Sequence, residues 1–429
     1  MRYKALNRNF FTENRKALTD KLKEKSLVLV FSSDEFPKNG DQTFSFRQNS
    51  DTYYLSGIDQ EEIILAICPN HSDASLREVL FIKKVDKTQV IWFGKKIDLD
   101  EAKIISGVET VFWIDEYEEI LPKLMTETEH IYLWKNNAPK FTTDVPYKAL
   151  RMEEKLRKEY PKHQFEELAP LTTKLRLIKK EEELQAMRRA VEITGKAYNR
   201  LLQKLKPGMM EYEVEANITY EYIRNGAQGH AYSPIVASGE NACILHYEEN
   251  DQECKDGDLL LLDFGAEYAY YAADCSRTIP INGKFTKRQA ACYQAVLDVY
   301  KEAHKLYIPG NTINIINAEV NKMMEAKMID LGLFTKEEVE KQNKMNPLYT
   351  KYFMHGTSHF IGLDVHDVGS KDTEFEEGMV LTCEPGLYIE DEGIGIRIET
   401  DIVVGKEPID LMKDFPVEIN EIERIMQKK

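Results

Sequence analysis

The chain has 429 residues, of which 42% are hydrophobic, 10% aromatic and 30% charged, which suits at least two globular domains and excludes a disordered chain or a small disulfide-stapled scaffold. Its 57 basic against 73 acidic residues leave a formal net charge of −16. Nucleic-acid phosphates and an anionic membrane face are therefore excluded as default partners.

The first 25 residues lack a continuous apolar stretch and a small-residue cleavage site, and no run reaches the length of a membrane span. The six cysteines lie far apart with no CxxC pair and read as reduced thiols, so the expected address is the cytoplasm. Up to about residue 170, the apolar runs SLVLVF, EEIILAIC, EVLFIKK and HIYLW alternate with charged stretches, the pattern of a compact α/β domain. The stretch YPKHQFEELAPLTTKLR carries two prolines and little periodicity and reads as a junction. We place the boundary at Thr172, giving domains 1–172 and 173–429.

Beyond it, Leu184, Met187, Val191, Tyr198, Leu201 and Leu205 recur at three- and four-residue steps and stop at Pro207–Gly208, which predicts an amphipathic helix. A second helix is predicted from Thr286, ending before IPGNT, and strand-like patterns fill much of the remaining C-terminal half.

Three of the nine histidines fall within HGTSHFIGLDVHD (His355, His359, His366), and His246 lies in ENACILHYEEN. Taken singly, each reads best as a packed or surface group; clustered, they point to a site. Gly356 and Gly362 argue against a helix here. If the segment is extended, His355 and His359 stand roughly 13 Å apart at about 3.3 Å per residue, and one metal holds only one of them.

The buried-strand run DGDLLLLDFG holds Asp263, and YYAADCSRTIPI puts Asp274 in a second strand. A hairpin turning near Glu267–Tyr270 brings the two carboxylates side by side, as oxygen ligands of one ion or as an acid pair that raises one pKa. The alternative, acids that face water, is disfavoured for Asp263 by its leucine neighbours. MVLTCEPGLY ends a strand at Glu384, and GIGIRIETDIVV reads as one strand with Ile394, Ile396 and Ile398 on one face and Arg397 and Glu399 on the other. The same alternation turns Cys275 and Cys383 away from the carboxylates, into the core. Four carboxylates and one imidazole suit manganese, iron, cobalt or zinc, and their charge balances two divalent ions. Such a pair serves amide hydrolysis.

The strings DLLLLDFG, YAADCSRT, HGTSHFIGLDVHD, TCEPGLY and GIGIRIETD, in that order, resemble the dinuclear metallopeptidases of the pita-bread fold, and FRQNSDTYYLSG and VIWFGKKI resemble the N-terminal domain of the aminopeptidase P (Xaa-Pro aminopeptidase) branch. The resemblance covers nearly the whole chain. It implies an N-terminal α/β domain of creatinase/prolidase type, followed by a larger catalytic domain with a curved, mainly antiparallel sheet covered by helices. It further implies that Asp263 binds one metal, His359 and Glu384 the other, and Asp274 and Glu399 both, most typically manganese, with a bridging water or hydroxide as nucleophile.

By the same resemblance Glu384 is the general base, and His246, His355 and His366 are proton-bearing groups around the substrate, His366 near the oxyanion and His246 near the scissile nitrogen. Arg397 and Tyr388 orient ligands or contact substrate. Trp92 and Asp41 fall where relatives complete a neighbouring subunit's pocket, which implies a homo-oligomer, dimer or tetramer; for Trp92, ordinary core packing weighs equally. Ser276 stands where the family usually has threonine, a departure expected to affect loops beside the site and not the ligands.

The implied activity is release of the N-terminal residue from peptides with proline second. Its rivals are a prolidase acting on Xaa-Pro dipeptides and, from another class, a non-catalytic peptide- or protein-binding module, which typically loses ligands; creatinase-like relatives do not keep the five ligands present here.

Overall fold

In a computed structural model of the protein, which describes residues 3–136 and 143–428, the chain divides into two compact units, Ala5–Arg176 and Leu177–Lys429 with Met1–Lys4. The division falls after the boundary expected at Thr172, because a helix, Ala169–Leu177, runs through that position. Pro170 sits in its first turn, where a missing N–H costs no hydrogen bond. The helix is tied into the first unit by Arg176, whose guanidinium donates to Asp51 at 3.0 Å with both side chains buried.

The first unit is built on a six-stranded mixed sheet of β1 (Ser26–Phe31), β2 (Ile64–Ile67), β3 (Glu78–Ile82), β4 (Thr110–Trp113), β5 (His130–Leu133) and β6 (Gln164–Glu167), ordered β4-β3-β2-β1-β5-β6. β1 runs antiparallel to β2 and parallel to β5. All six residues of β1 are buried, as expected of a central strand covered on both faces. Helices α1 (Arg8–Thr19), α2 (Tyr117–Met125) and α3 (Lys148–Glu159) belong to this unit; Leu121, Leu124 and Leu156 share a core with Leu27, Leu29 and Phe81.

The second unit carries the predicted helices as α4 (Glu181–Lys204), stopping before Pro207, and α5 (Lys287–Ala303), capped by the Thr286 hydroxyl. Its strands are β7 (Ile235–Ser238), β8 (Leu259–Asp263), β9 (Ala266–Tyr268), β10 (Tyr271–Ala272), β11 (Ser276–Pro280), β12 (Val380–Cys383), β13 (Gly386–Ile389), β14 (Ile394–Arg397) and β15 (Thr400–Val403). Every pairing among them is antiparallel: β7–β8–β11, β9–β10, β12–β15 and β13–β14. Leu260, Leu262, Ile394, Ile396, Ile398, Cys275 and Cys383 enter one large core with α4 and α5. Among the described residues no helix is long and apolar enough to cross a membrane.

Glu183, in the first turn of α4, is buried and accepts from the Lys180 N–H and the Tyr271 hydroxyl. Burial pushes its carboxyl up from an ordinary 4.5 to about 7, against the pull of those two donors and of Lys179. The folded state thus holds this proton more tightly than the unfolded chain. The stability it contributes is complete below the ordinary carboxylate range and is lost as pH rises through about 7, a difference worth about 3 kcal/mol. In denaturant titrations of the metal-free proteins, Glu183→Gln should remove that much of the pH dependence; identical slopes for both proteins would contradict it.

Candidate metal centre

The expected hairpin forms, with a break in its middle. β8 pairs with β11 so that Asp263 stands opposite Ser276, while β9 and β10 close a separate two-residue turn at Ala269–Tyr270, both with positive φ. Asp274 therefore lies just before β11 and not within a strand. The break is what brings the two carboxylates together. At Gly265 a Cβ would lie 1.7 Å from the Ala273 carbonyl, so only glycine lets the two chains cross there. The Tyr232 hydroxyl lies 2.6 Å from Oδ1 of both Asp263 and Asp274.

Glu399 also differs from its expected place. GIGIRIETDIVV forms two strands, β14 and β15, in different sheets, and Glu399 lies at the break between them. The side-chain alternation holds regardless: the three isoleucines enter the core, while Arg397 and Glu399 converge on Ser276. The Ser276 hydroxyl donates to Glu399 Oε2 at 2.6 Å and accepts from Arg397 Nε at 2.7 Å. The serine-for-threonine departure thus falls inside the site, hydrogen-bonded to a candidate ligand, and not in a loop beside it.

His355 and His359 lie in an irregular segment with bends at His355 and Thr357, so their rings approach the same carboxylate instead of diverging along an extended strand. His359 Nε2 is 3.3 Å from Asp274 Oδ2 and 3.7 Å from Glu384 Oε1, and His355 Nδ1 is 3.8 Å from Glu384 Oε2. The His359 Nδ1–H donates to the Phe360 carbonyl, which points Nε2 at the acids. Ligand atoms of Asp274, His359 and Glu399 lie within 4.8 Å of one another, close enough to share one ion.

The electrostatics describe a buried acid cluster short of cations. Burial, reinforced by Asp274, Glu384 and Asp263, drives the Glu399 carboxyl far above its ordinary range, and burial raises Glu384 to about 7 although His359 and Arg397 oppose it. Burial also raises Asp263, with Arg397 pulling the other way. His359 is held up at about 9 by its hydrogen bond to Asp274 and by Glu384, despite burial. Four acids crowded around one guanidinium and one imidazole are the donor set that divalent ions neutralise, and the residues fit a metal centre. Asp263, Asp274, His359, Glu384 and Glu399 are the groups that could hold it.

Beside it runs a hydrogen-bond chain. Arg397 donates to Asp263 Oδ2 at 2.7 Å and to the Tyr388 hydroxyl at 2.8 Å, and that hydroxyl is 2.8 Å from His355 Nε2. Burial and the charges of Arg397 and His246 push the His355 ring down to about 4. Its Nδ1–H is taken by the Gly356 carbonyl, so Nε2 accepts from Tyr388. His355 thus keeps its proton on Nδ1 and presents Nε2 to the Tyr388 hydroxyl. His366 packs edge-on against His359 with ring centroids 4.4 Å apart, and His246 is exposed.

Trp92 and Asp41 lie in the first unit, apart in the chain from all of these. Trp92 is 77% exposed, on the short helix Lys87–Phe93, so the core-packing alternative is excluded; Asp41 is exposed in a hairpin turn. Two participants escaped the sequence reading. Tyr232 carries no motif signal beyond its position in AYSP, and Asp401, whose buried carboxylate accepts the Asp274 N–H at 3.2 Å, reads as an ordinary polar strand residue.

Residues 185–406 match the model of metallopeptidase family M24, and residues 11–132 match that of the aminopeptidase P N-terminal domain. The chain is 38% identical to the Xaa-Pro aminopeptidase of Escherichia coli K12, covering 93% of each protein, and 34% identical to that of Haemophilus influenzae, covering 97% of this chain and 96% of the relative. Its fold superposes on zinc-substituted E. coli aminopeptidase P in complex with product, with a TM-score of 0.89, 36% identity and 99% of each chain covered. The chain belongs to metallopeptidase family M24, with the N-terminal domain of aminopeptidase P.

Proposed function

We propose that this protein is a metal-dependent aminopeptidase that releases the N-terminal residue from peptides with proline in second position. The observation that carries the reading is the convergence of Asp263, Asp274, His359, Glu384 and Glu399 beside the Arg397–Tyr388–His355 chain. Divalent ions held there, two in our reading and manganese foremost with zinc, cobalt or iron as alternatives, would supply Lewis acidity toward the peptide carbonyl and lower the pKa of water. Asp263, Asp274, His359, Glu384 and Glu399 would hold them.

The chain's own residues do the rest. Glu384 takes a proton from the attacking water and returns it to the leaving nitrogen. His366, against His359, faces the developing oxyanion, and His246 lies near the scissile nitrogen. Arg397 and Tyr388 hold Asp263 and His355 in place. Proline in second position has no N–H and a fixed φ, so a site that recognises it cannot rely on an extended backbone donor.

A homo-oligomer, dimer or tetramer, is supported by Ile91, Trp92 and Phe93, which are 82%, 77% and 78% exposed in succession. Trp92 and Asp41 then act toward a neighbouring copy. The unpaired cysteines among the described residues fit a reducing, cytoplasmic address, and the helix-covered antiparallel strands fit the pita-bread type. Purified protein supplied in turn with manganese, cobalt and zinc should cleave Xaa-Pro-Xaa tripeptides and longer peptides in preference to Xaa-Pro dipeptides. A preference for the dipeptide assigns a prolidase instead, and a protein with no bound divalent ions and no turnover, a binding module.

A further inference from the structure

The segment that delivers His366 rests on a buried charge pair. Lys179 Nζ donates to Asp367 Oδ2 at 3.0 Å, and both side chains are 1% exposed. Asp367 directly follows His366, whose ring meets that of His359 edge-on. The loop between them is closed on itself, since the Asp367 N–H donates to the Phe360 carbonyl at 2.9 Å and the Gly362 N–H to Asp364.

The pair lies directly on that loop's backbone. A Cβ at Gly362 would stand 2.3 Å from Asp367 Oδ2 and 2.9 Å from Lys179 Cε. The Gly362 carbonyl in turn accepts from the Ala272 N–H, and the neighbouring Tyr271 hydroxyl donates to Glu183, one turn beyond Lys179. The Lys179–Asp367 pair, the Ala272–Gly362 bond and the Tyr271–Glu183 bond therefore lie beside one another along the loop. Both side chains of the pair are 1% exposed, which makes it a poor source of stability and a directional one: the Lys179–Asp367 bond orients the chain at Asp367.

We propose that Lys179 and Asp367 are positioning residues that act through His366, holding its imidazole against His359; the inference rests on the aminopeptidase reading. Asp367→Asn should lower kcat for an Xaa-Pro-Xaa peptide about tenfold to a hundredfold, less than the roughly hundredfold to thousandfold lost when a placed donor is removed outright, with little change in KM or in bound metal. The deciding measurement is the cycle with His366→Ala. In that background Asp367→Asn should cost less than about twofold, because the group it positions is gone.

Equal losses in both backgrounds, or loss of metal from the Asp367→Asn holoenzyme, would overturn the proposal. Gly362→Ala, which keeps both charges and forces them apart, is judged by the same cycle if Asp367→Asn does not fold. A wild-type protein that turns over no Xaa-Pro substrate overturns the parent reading, and this one with it; an active wild type with additive losses overturns this one alone.

Discussion

Glu399→Ala is expected to abolish peptide hydrolysis and metal uptake together. The Glu399 side chain is 2% exposed and lies among Asp274, His359 and the Ser276 hydroxyl, where its carboxylate is one of three groups able to share an ion. Metal assistance is worth several kcal/mol of barrier, and at about 1.4 kcal/mol per factor of ten its loss lowers kcat/KM by about a thousandfold or more. Glu399→Gln tests the charge apart from the packing: it keeps the side chain's length and an oxygen for Ser276 but cannot balance a cation, and should be as inactive. Metal content by elemental analysis and turnover of an Xaa-Pro-Xaa peptide are the two readouts. Full metal occupancy with wild-type turnover in either variant would remove Glu399 from the centre.

Arg397→Met should be the most destabilising single change in the catalytic unit. The guanidinium is 4% exposed and contacts Asp263, the Tyr388 hydroxyl and the Ser276 hydroxyl, all within 2.8 Å. Without it Asp263 is left buried beside three other acids, and breaking a buried pair in this way costs about 3–5 kcal/mol. For a unit of this size that lowers the melting temperature by roughly 10 °C. The loss should be largest in metal-stripped protein and smaller when metal is bound, because an added cation takes over part of the charge balance. Calorimetry of both forms distinguishes this from a packing defect, which metal would not relieve. Arg397→Lys should not restore activity, since one ammonium cannot span three acceptors in the plane of the fork.

Part of this site is visible in the amino-acid order. The period-two alternation around Arg397 separates the core isoleucines from the pair that meets Ser276, and it survives the break between β14 and β15 because alternation needs only extended backbone, not continuous pairing. The apolar run 259–262 marks Asp263 as a carboxylate drawn into a buried strand. Strand ends were less legible. Asp274, Glu384 and Glu399 all lie at or just past them, since a residue that must turn its side chain into a cleft is freed from the ladder.

What the amino-acid order by itself determined is the inventory: two domains, the helices from Glu181 and Lys287, and the acids and histidines whose spacing brings them to one region. Only the tertiary structure decided how those groups are used. That Tyr232 joins Asp263 to Asp274, that the Tyr388 hydroxyl joins His355 to Arg397, and that Lys179 pairs with Asp367 beside His366 are contacts between residues 9 to 188 positions apart. Proton positions and ion-pair partners depend on burial and on distances of about 3 Å between groups, and no local pattern encodes either.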